Sequence, residues 1–330
     1  MQNELAALVT NQTWSITDLP PRKSAIGCRW VYKIKYHSNG TIERYKARLV
    51  AKGYNQMEGI DFLDTFAPVA KLTTLRLLLA LAATKNWDLK KLDVNNAFLH
   101  GDLNEKVYMK LPPGFQAANR NKVFKLQKSL YGLKQAGRQW YAKLSNFLKS
   151  HNYNISTVDH SLFLKHDGEK TTALLVYVDD IVLTGNNLAE INQITTLLHQ
   201  HLCIKNLGDL TYFLGLEISR NNTGIHLSQR KYTLDLLTKN GMLACAPSFT
   251  FMAHTLLLTA NKGERLNEEE ATSYRRLVGR LIYLTNTHPN IAYDVNHLSH
   301  FVSAPTNIHS QAALHVLKYL KASPSASLFR

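Results

Sequence analysis

Two adjacent aspartates stand in the middle of an apolar run, TTALLVYVDDIVLT at residues 171–184. The run is rich in β-branched and aromatic residues, which favours strands on both sides of Asp179 and Asp180. An ionised carboxylate buried among apolar side chains is costly unless it is paired or bound to a metal. A solvated turn accommodates two such residues easily, because aspartate favours turns. The run therefore predicts a hairpin whose turn is either an ordinary solvated one or part of a metal site.

A third aspartate is placed in the same way. Asp93 lies within KKLDVNNAFL at residues 90–99, which predicts a short apolar strand with an acid inside it. Three carboxylates on strands of one sheet can converge at the strand ends and hold two divalent ions about 3.5–4 Å apart. Oxygen-only ligands suit Mg²⁺ or Mn²⁺ rather than zinc. The combination favours the metal site over the ordinary turn.

The chain is strongly basic, with 39 Lys and Arg against 24 Asp and Glu and a net charge of +15. Such an excess indicates a polyanionic partner, nucleic acid first and an anionic membrane second, although a merely soluble basic protein remains the alternative. Residues 26–36 and 41–52 alternate in character and predict a β-hairpin with its turn at Asn39-Gly40. One face of this hairpin carries Lys33, Lys35, Lys46, Arg48 and Lys52. Contact with phosphates is favoured over a merely solvated edge.

The remaining pattern predicts an α+β body followed by a helical C-terminal third. A helix capped by Thr73-Thr74 is expected over 73–86, a loop entering an amphipathic helix over 130–150, and a helix over 188–201. Residues 210–219 predict a strand, and the segments after Gln229 predict helices, the first of which stops at Gly241.

Some classes of protein are disfavoured by the sequence. The three cysteines, Cys28, Cys203 and Cys245, form no C-x-x-C pair, so neither a zinc knuckle nor a disulfide framework is expected. The N-terminus lacks the basic and apolar regions of a signal peptide. The apolar stretch at 77–83 is far shorter than the roughly 20 residues needed to span a bilayer, so no membrane insertion is expected.

Longer strings carry a family resemblance. The motif Y-V-D-D, inside a hydrophobic hairpin, resembles the signature of reverse transcriptases. From about Trp14 to Arg330 the chain resembles the copia-type (Ty1/copia) enzyme encoded in the Pol polyproteins of long-terminal-repeat retrotransposons. The strings that carry this resemblance are WVYKIKYHSNGTIERYKARLVAKGYNQ, TFAPVAKLTTLR, KLDVNNAFLHGDLNEKVYMKLPPGF, SLYGLKQAGRQWY, YFLGLEI and YRRLVGRLIYLTNTHPNIAYDVN.

The resemblance implies a fold and an organisation. We expect an α+β right-hand polymerase with fingers, a palm built on a ferredoxin-like antiparallel sheet, and a helical thumb or connection. Residues 1–13 would be a lead-in, 14–245 the fingers and palm, and 246–330 the thumb or connection. Because no Asp or Glu follows Asp294, we expect the chain to end before a ribonuclease H domain and to leave the RNA strand of a hybrid uncut.

The resemblance also implies partners and a location. An RNA or DNA template with its primer and deoxyribonucleoside triphosphates would be bound, with two Mg²⁺ or Mn²⁺ ions as cofactors and no membrane partner. The chain would act in a cytoplasmic virus-like particle, with nuclear access as a further expectation, and would not be secreted.

Roles follow for residues near the acids. Asp93 and Asp179 resemble the direct ligands of both ions, and Asp180 a nearby supporting acid. Phe98 resembles the aromatic that excludes a 2′-hydroxyl from the nucleotide site, although a core Phe is the alternative. The backbone N–H groups of Asn96 and Ala97 are candidates for contacts with the triphosphate.

Other roles concern the nucleotide and the primer. Gln135 resembles a nucleotide-contacting glutamine, with a surface Gln as the alternative. Lys46 and Arg48 are both candidates for triphosphate contacts, and Lys205 is a candidate general acid that is more simply read as a surface lysine. The expected primer contacts are Tyr177, Phe213, Leu214 and Gly215, although Gly215 also fits a bulge.

Two features depart from the family pattern and leave alternatives open. Gly137 stands where Pro or Ser is more usual, which would loosen its loop, and the segment 248–260 is unusually apolar for a thumb joint. The first alternative is an inactive retrotransposon remnant that keeps the fold and nucleic-acid binding. The second is a domesticated binding protein, which would be expected to have lost the acids that are present here.

Overall fold

The fold comes from a computed structural model that describes residues 1–37, 40–115, 122–252 and 258–329. The chain forms two compact units, Met1–Asp209 and Leu210–Arg330. The boundary between the expected fingers and palm and the expected thumb was predicted at 245/246. The strands between 212 and 228 group instead with the helices that follow them. The α+β class is confirmed.

The first unit contains four helices and twelve strands among its described residues. Its helices are α1 (Gln2–Thr10), α2 (Leu72–Lys85), α3 (Ala136–Ser150) and α4 (Leu188–Leu202). Its strands are β1 (Trp14–Asp18), β2 (Ala25–Ile26), β3 (Cys28–Tyr36), β4 (Ile42–Ala51), β5 (Asp88–Val94), β6 (Tyr108–Lys110), β7 (Lys122–Leu126), β8 (Asn154–Ile155), β9 (Leu162–Asp167), β10 (Lys170–Tyr177), β11 (Asp180–Gly185) and β12 (Ile204–Asp209).

A six-stranded antiparallel sheet, called the central sheet from here on, has the order β12-β5-β11-β10-β9-β8. Within it, β5, α3, β10, β11, α4 and β12 follow one another along the chain as a βαββαβ unit whose four strands lie in the order 4-1-3-2. This is the predicted ferredoxin-like arrangement. Leu92 and Ile181, on one face of the sheet, form a core with Leu144 of α3 and Ile194 of α4. The opposite face of β5 and β11 therefore remains for other side chains.

Strands β3 and β4 pair only with each other and form the basic hairpin. The prediction of this hairpin is confirmed, and the predicted turn residue Asn39 lies outside the described residues. Beside it, β1-β7-β6-β2 form a small sheet. Leu8 of α1 and Leu49 of β4 are fully buried in the core of that sheet. Helix α1 is thus an integral part of the unit.

The second unit contains the sheet β13-β14-β15-β16 and four helices among its described residues. The strands are β13 (Tyr212–Phe213), β14 (Leu216–Asn221), β15 (Gly224–Ser228) and β16 (Ser327–Phe329), and the helices are α5 (Arg230–Lys239), α6 (Glu268–Leu284), α7 (Ala292–Ser299) and α8 (Asn307–Ala322). The four helices share one core, in which Leu237, Leu281, Leu298 and Val316 are buried. The predicted helical C-terminal third is confirmed.

Two predictions about local structure are wrong. Residues 210–219 form a tight hairpin, because Leu214 and Gly215 take positive φ values of 48° and 77° and reverse the chain. Helix α2 has no side-chain cap of its own. Instead, the carboxylate of Asp159 accepts hydrogen bonds from the Lys71 N–H at 3.3 Å and the Thr74 hydroxyl at 2.5 Å.

None of the helices in the described parts of the chain combines the length and the apolar content that a membrane crossing requires. Cys28, Cys203 and Cys245 carry free thiols.

Candidate active site

The acids meet where β5 and β11 pair. Asp93 and Asp180 are direct cross-strand partners, so their side chains lie on the same face of the sheet. That face is opposite to the one where Leu92 and Ile181 pack against the helices. Lys205 of β12 pairs with Asp93 from the other side. The structure therefore places Asp93 between an acid and a base in one row, in which Asp93 and Asp180 are partly exposed and Lys205 is exposed.

Asp179 lies in the two-residue turn between β10 and β11. The residue before it, Val178, has a φ of 54°, a left-handed conformation that is rare for a β-branched residue. The Val178 carbonyl accepts a hydrogen bond from Trp140 Nε1 at 2.7 Å, and the Asp179 carbonyl accepts one from the Val94 N–H at 2.8 Å. The second bond joins the turn directly to the end of β5.

The charges of the three acids are crowded. Burial raises the pKa of the Asp179 carboxyl above its usual range, the charges of Asp180 and Asp93 raise it further, and Arg48 lowers it. Asp180 has a cation of its own, since Lys91 Nζ lies 2.9 Å from its Oδ1. Among the described residues, Lys91 therefore neutralises Asp180, whereas Asp179 has only the more distant charge of Arg48 to oppose those of the other two acids.

A divalent cation fits this donor set. Across the described ranges, no three His, Cys, Asp or Glu side chains are grouped as a ready-made metal centre. The donors that do converge are carboxylate oxygens, which Mg²⁺ and Mn²⁺ prefer. A cation at Asp93 and Asp179 would relieve the repulsion that raises the Asp179 pKa.

The basic hairpin contributes Arg48 to the same region. Its guanidinium carbon lies 4.5 Å from the ring centre of Tyr131, and its charge is among those that lower the pKa of Asp179. Lys46 is also half-buried, and burial together with the neighbouring Arg48 and Arg44 lowers its pKa. The sequence left open which of the two cations contacts the triphosphate, and that stays open; of the two, Arg48 lies close enough to act on the Asp179 carboxyl.

Phe98 and Asn96 surround the same tyrosine. The Phe98 ring meets Tyr131 edge-on, with centres 5.3 Å apart, and the Tyr131 hydroxyl donates to Asn96 Oδ1 at 3.4 Å. Asn96 has a φ of 53°, and Ala97 is almost fully buried. Tyr131 therefore links the arginine, the aromatic and the turn that follows Asp93.

Comparison with known proteins shows the family. Residues 11–254 match the family described as reverse transcriptase (RNA-dependent DNA polymerase). The chain belongs to this family.

Curated relatives agree with that assignment. The retrovirus-related Pol polyprotein from transposon RE1 of Arabidopsis thaliana is 45% identical over 331 residues, covering 100% of this chain and 22% of the polyprotein. The corresponding polyprotein from transposon TNT 1-94 of Nicotiana tabacum is 39% identical over 330 residues, covering 97% of this chain and 25% of the polyprotein. The predicted resemblance to copia-type Pol polyproteins is confirmed, and the chain spans about a quarter of their length.

A solved structure also aligns with this one. It is the foamy viral protease-reverse transcriptase in complex with double-stranded DNA, with a TM-score of 0.47 and 13% identity over 97% of this chain and 47% of that one. At that level of similarity it adds nothing to the family assignment.

The Gln135 side chain is fully buried. Its Oε1 accepts from Gln56 Nε2 at 3.0 Å, and its Nε2 donates to the Asp61 carbonyl at 3.0 Å. These bonds tie the loop before α3 to the segment after β4. A nucleotide contact by this side chain would require that it become exposed, and the predicted contact stays a prediction.

The other predicted residues divide between the two units. Tyr177 pairs with Asp180 and so lies on the face of the acids. Phe213, Leu214 and Gly215 belong to the second unit, where the Phe213 side chain is fully buried and Tyr283 donates a hydrogen bond to the Leu214 carbonyl. A primer contact here could come only from the backbone around the turn or from the Leu214 side chain, and it stays a prediction.

Sequence reasoning missed four residues in or near the site: Glu4, Lys91, Tyr131 and Trp140. Lys91 was detectable, because strand alternation puts it on the same face as Asp93. Tyr131 and Trp140 gave no signal beyond their apolar character. Gly137 lies in the first turn of α3 rather than in a loop, and an added Cβ there would meet only ordinary contacts, 3.9 Å from Ala67 and 4.0 Å from Phe98. The expected loosening at this glycine stays a prediction.

Proposed function

We propose that this chain is an RNA-directed DNA polymerase that adds deoxyribonucleotides to a primer 3′-hydroxyl by a two-metal mechanism. The observation that supports this most directly is the pairing of Asp93 with Asp180 beside Asp179, in a sheet whose other face is an apolar core. Membership of the reverse transcriptase family supports the same reaction.

Asp93 and Asp179 would hold the divalent ions. Bound Mg²⁺ or Mn²⁺ would supply Lewis-acid activation of the hydroxyl and neutralise charge on the phosphates. Asp180 acts from beside them, because Lys91 already engages its carboxylate at 2.9 Å. The apolar face beneath the strands keeps the acids in a fixed register, which in-line displacement requires.

Arg48 of the basic hairpin would bind the triphosphate of the nucleotide. Its guanidinium lies over the Tyr131 ring, which restrains its position, and such a group recognises phosphate oxygens in pairs. Lys46 adds charge next to it. The N–H groups of Asn96 and Ala97 complete the proposed triphosphate site.

Phe98 excludes a 2′-hydroxyl by occupying the space beneath the sugar. Its edge contact with Tyr131 fixes the ring in place. Shrinking the side chain in Phe98→Ala should therefore raise ribonucleotide use roughly tenfold relative to deoxyribonucleotide use. Single-nucleotide incorporation with matched ribo- and deoxyribonucleotides measures this, and unchanged sugar discrimination would return Phe98 to the core.

Lys205 would donate a proton to the leaving pyrophosphate. Its support is the pairing with Asp93 across β12 and β5, which puts the exposed Lys205 side chain on the face of the acids.

The template–primer duplex is the proposed macromolecular partner. The net charge of +15 and the cations on one face of the basic hairpin, Lys33, Lys35, Lys46 and Arg48, provide the electrostatic attraction.

Primer extension on an RNA template tests the proposal, with Asp179→Asn as the matched control. Extension by the parent that depends on Mg²⁺ or Mn²⁺ and is lost in Asp179→Asn is the expected result. A parent that binds template–primer but adds no nucleotide would overturn it and would favour the inactive remnant.

A further inference from the structure

Trp140 makes the only hydrogen bond between α3 and the aspartate turn that is seen among the described residues. Its side chain is 2% exposed, and its Nε1 donates to the Val178 carbonyl at 2.7 Å. The two residues are 38 positions apart in the chain. This is a short, partly buried bond from a rigid side chain that has no other hydrogen-bonding group.

The accepting residue has an unfavourable conformation. Val178 has a φ of 54°, where glycine, asparagine and aspartate are the usual residues of a two-residue hairpin turn. A β-branched side chain keeps such a backbone only when its surroundings hold it there. The Trp140 bond is one such restraint.

Asp179 is therefore restrained from both sides. The carbonyl that precedes it, on Val178, is bound by Trp140, and its own carbonyl is bound by the Val94 N–H at 2.8 Å. The two bonds fix the peptide groups on either side of the Asp179 Cα atom. They come from different elements, α3 and β5, so that each restrains a different rotation.

The position of the donor is itself fixed. Gly101 lies so close to α3 that an added Cβ would be 2.8 Å from the Trp140 backbone nitrogen. A cavity of about 30 Å³, lined in part by Pro68, Gly137, Trp140 and Val178, lies beside the indole. That volume is room for about one or two water molecules and is far too small for a second position of the ring.

We infer that Trp140 is a positioning residue for the polymerase reaction, whose indole N–H holds the Val178–Asp179 turn so that the Asp179 carboxylate keeps its direction. The inference rests on the proposed function. It concerns the rate of nucleotide addition rather than nucleotide or template binding, because Trp140 faces the back of the turn from the core.

Trp140→Phe keeps an aromatic ring and removes the donor. Trp30→Phe is the matched control, since Trp30 Nε1 also donates to a backbone carbonyl, that of Pro113 at 3.1 Å, away from the turn. We expect kcat to fall roughly tenfold to a hundredfold in Trp140→Phe, as for a small misplacement of a reacting group. The nucleotide KM and the Kd for template–primer should stay within about twofold, and Trp30→Phe should keep the parent kcat.

Hydrogen exchange gives a second measurement that does not depend on activity. Amides in residues 176–182 should exchange faster in Trp140→Phe than in the parent or in Trp30→Phe, while the rest of the central sheet is unchanged. If Trp140→Phe does not fold, the parent alone decides, since its Trp140 indole N–H should exchange slowly and its NMR signal should shift when Mg²⁺ is added.

Each outcome separates the inference from the proposed function. A kcat within twofold of the parent, or unchanged exchange at 176–182, would overturn the inference while leaving the polymerase assignment standing. For an unfolded variant, a rapidly exchanging Trp140 indole or one that ignores Mg²⁺ would overturn it. A parent that extends no primer would overturn the proposed function, and the exchange measurements would then decide whether the turn is held as inferred.

Discussion

The two hairpins of the first unit, β10–β11 and the basic hairpin β3–β4, have the same antiparallel pairing and opposite environments. In the first, Leu174, Leu175, Ile181 and Val182 are completely buried, and the turn is held by hydrogen bonds. In the second, the half of the hairpin near the turn is open on both faces, with Lys33 exposed on one face and Tyr32 and Tyr45 66% and 76% exposed on the other, while Leu49 is buried at the far end.

The difference matches the proposed roles of the charges, which are metal binding by the acids and attraction of phosphates by the cations. Carboxylates that bind metal ions must keep fixed directions, so they lie on strands whose other face is packed. Cations that attract a polyphosphate act through longer-range charge and can lie on exposed strands. Arg48 is the exception on the basic hairpin, because Tyr131 fixes its guanidinium.

The largest expected effect on nucleotide addition comes from β5, the strand that pairs with the buried hairpin and carries Asp93. Asp93→Asn should reduce nucleotide addition about a hundredfold or more, because it removes transition-state stabilisation by the ions. Template–primer binding should be nearly unchanged, since phosphate contacts supply that affinity. Primer extension and fluorescence anisotropy measure the two quantities, and extension above a few per cent of the parent rate would contradict the two-metal assignment.

A smaller effect should come from Arg48. Arg48→Ala should raise the nucleotide KM roughly tenfold, the value of one or more charge-assisted hydrogen bonds. Arg48→Lys should recover only part of this, because lysine lacks the planar group that stacks on Tyr131. Steady-state incorporation at varied nucleotide concentration gives the KM. An equal rise in Lys46→Ala would show that the hairpin acts through its total charge alone.

The exposed cations should affect binding by less. The parent should show a log–log salt slope steeper than about −3 for template–primer binding, and replacing Lys33 and Lys35 by Gln should flatten it by about 0.9 for each phosphate that is no longer neutralised. Tyr45→Ser, on the opposite face, is the control and should leave the slope unchanged. A salt titration of Kd measures the slope, and equal slopes in all three proteins would place the binding cations elsewhere.

The smallest effect concerns Glu4 of α1, which lies behind the basic hairpin. Burial raises the pKa of its carboxyl above 4.5, against the opposing charges of Arg48 and Lys46. Its contribution to stability is therefore complete below pH 4.5 and is lost as pH rises through the raised value. Glu4→Gln should lose less thermal stability than the parent between pH 4.5 and 7. The melting temperature of each protein is measured across that pH range. An equal change with pH in both proteins would exclude this role for Glu4.

The sequence predicted the elements whose pattern is local. Asp93, Asp179 and Asp180 stand out because acids are rare in apolar strands, and β3–β4, α3 and α4 follow from alternation or helical periodicity. The pattern of residues 210–219 predicts one unbroken strand, because its apolar residues run on through the turn at Leu214-Gly215. The support of α2 by Asp159 was missed because the two are about 85 residues apart.

The site was predicted less fully than the fold. A family motif identifies residues that meet substrate, whereas Tyr131, Trp140 and Lys91 act through neighbours that only the folded chain defines. Gln135 shows the opposite case, in which a motif residue has a structural contact: its buried side-chain amide joins two loops. Its hydrogen bonds depend on Gln56 and on the Asp61 backbone, which no local sequence pattern predicts.

Two glycines, Gly53 and Gly132, let the end of the basic hairpin cross the loop before α3 with backbone against backbone. A Cβ at Gly53 would overlap the Gly132 carbonyl oxygen, and one at Gly132, which has a φ of 91°, would overlap that of Ala51. One extra methyl group would thus push β4 away and carry Arg48 with it. When related genomic copies are sorted into working and decayed genes, intact aspartates are therefore not enough to call a copy functional. A codon change that replaces either glycine counts equally against it.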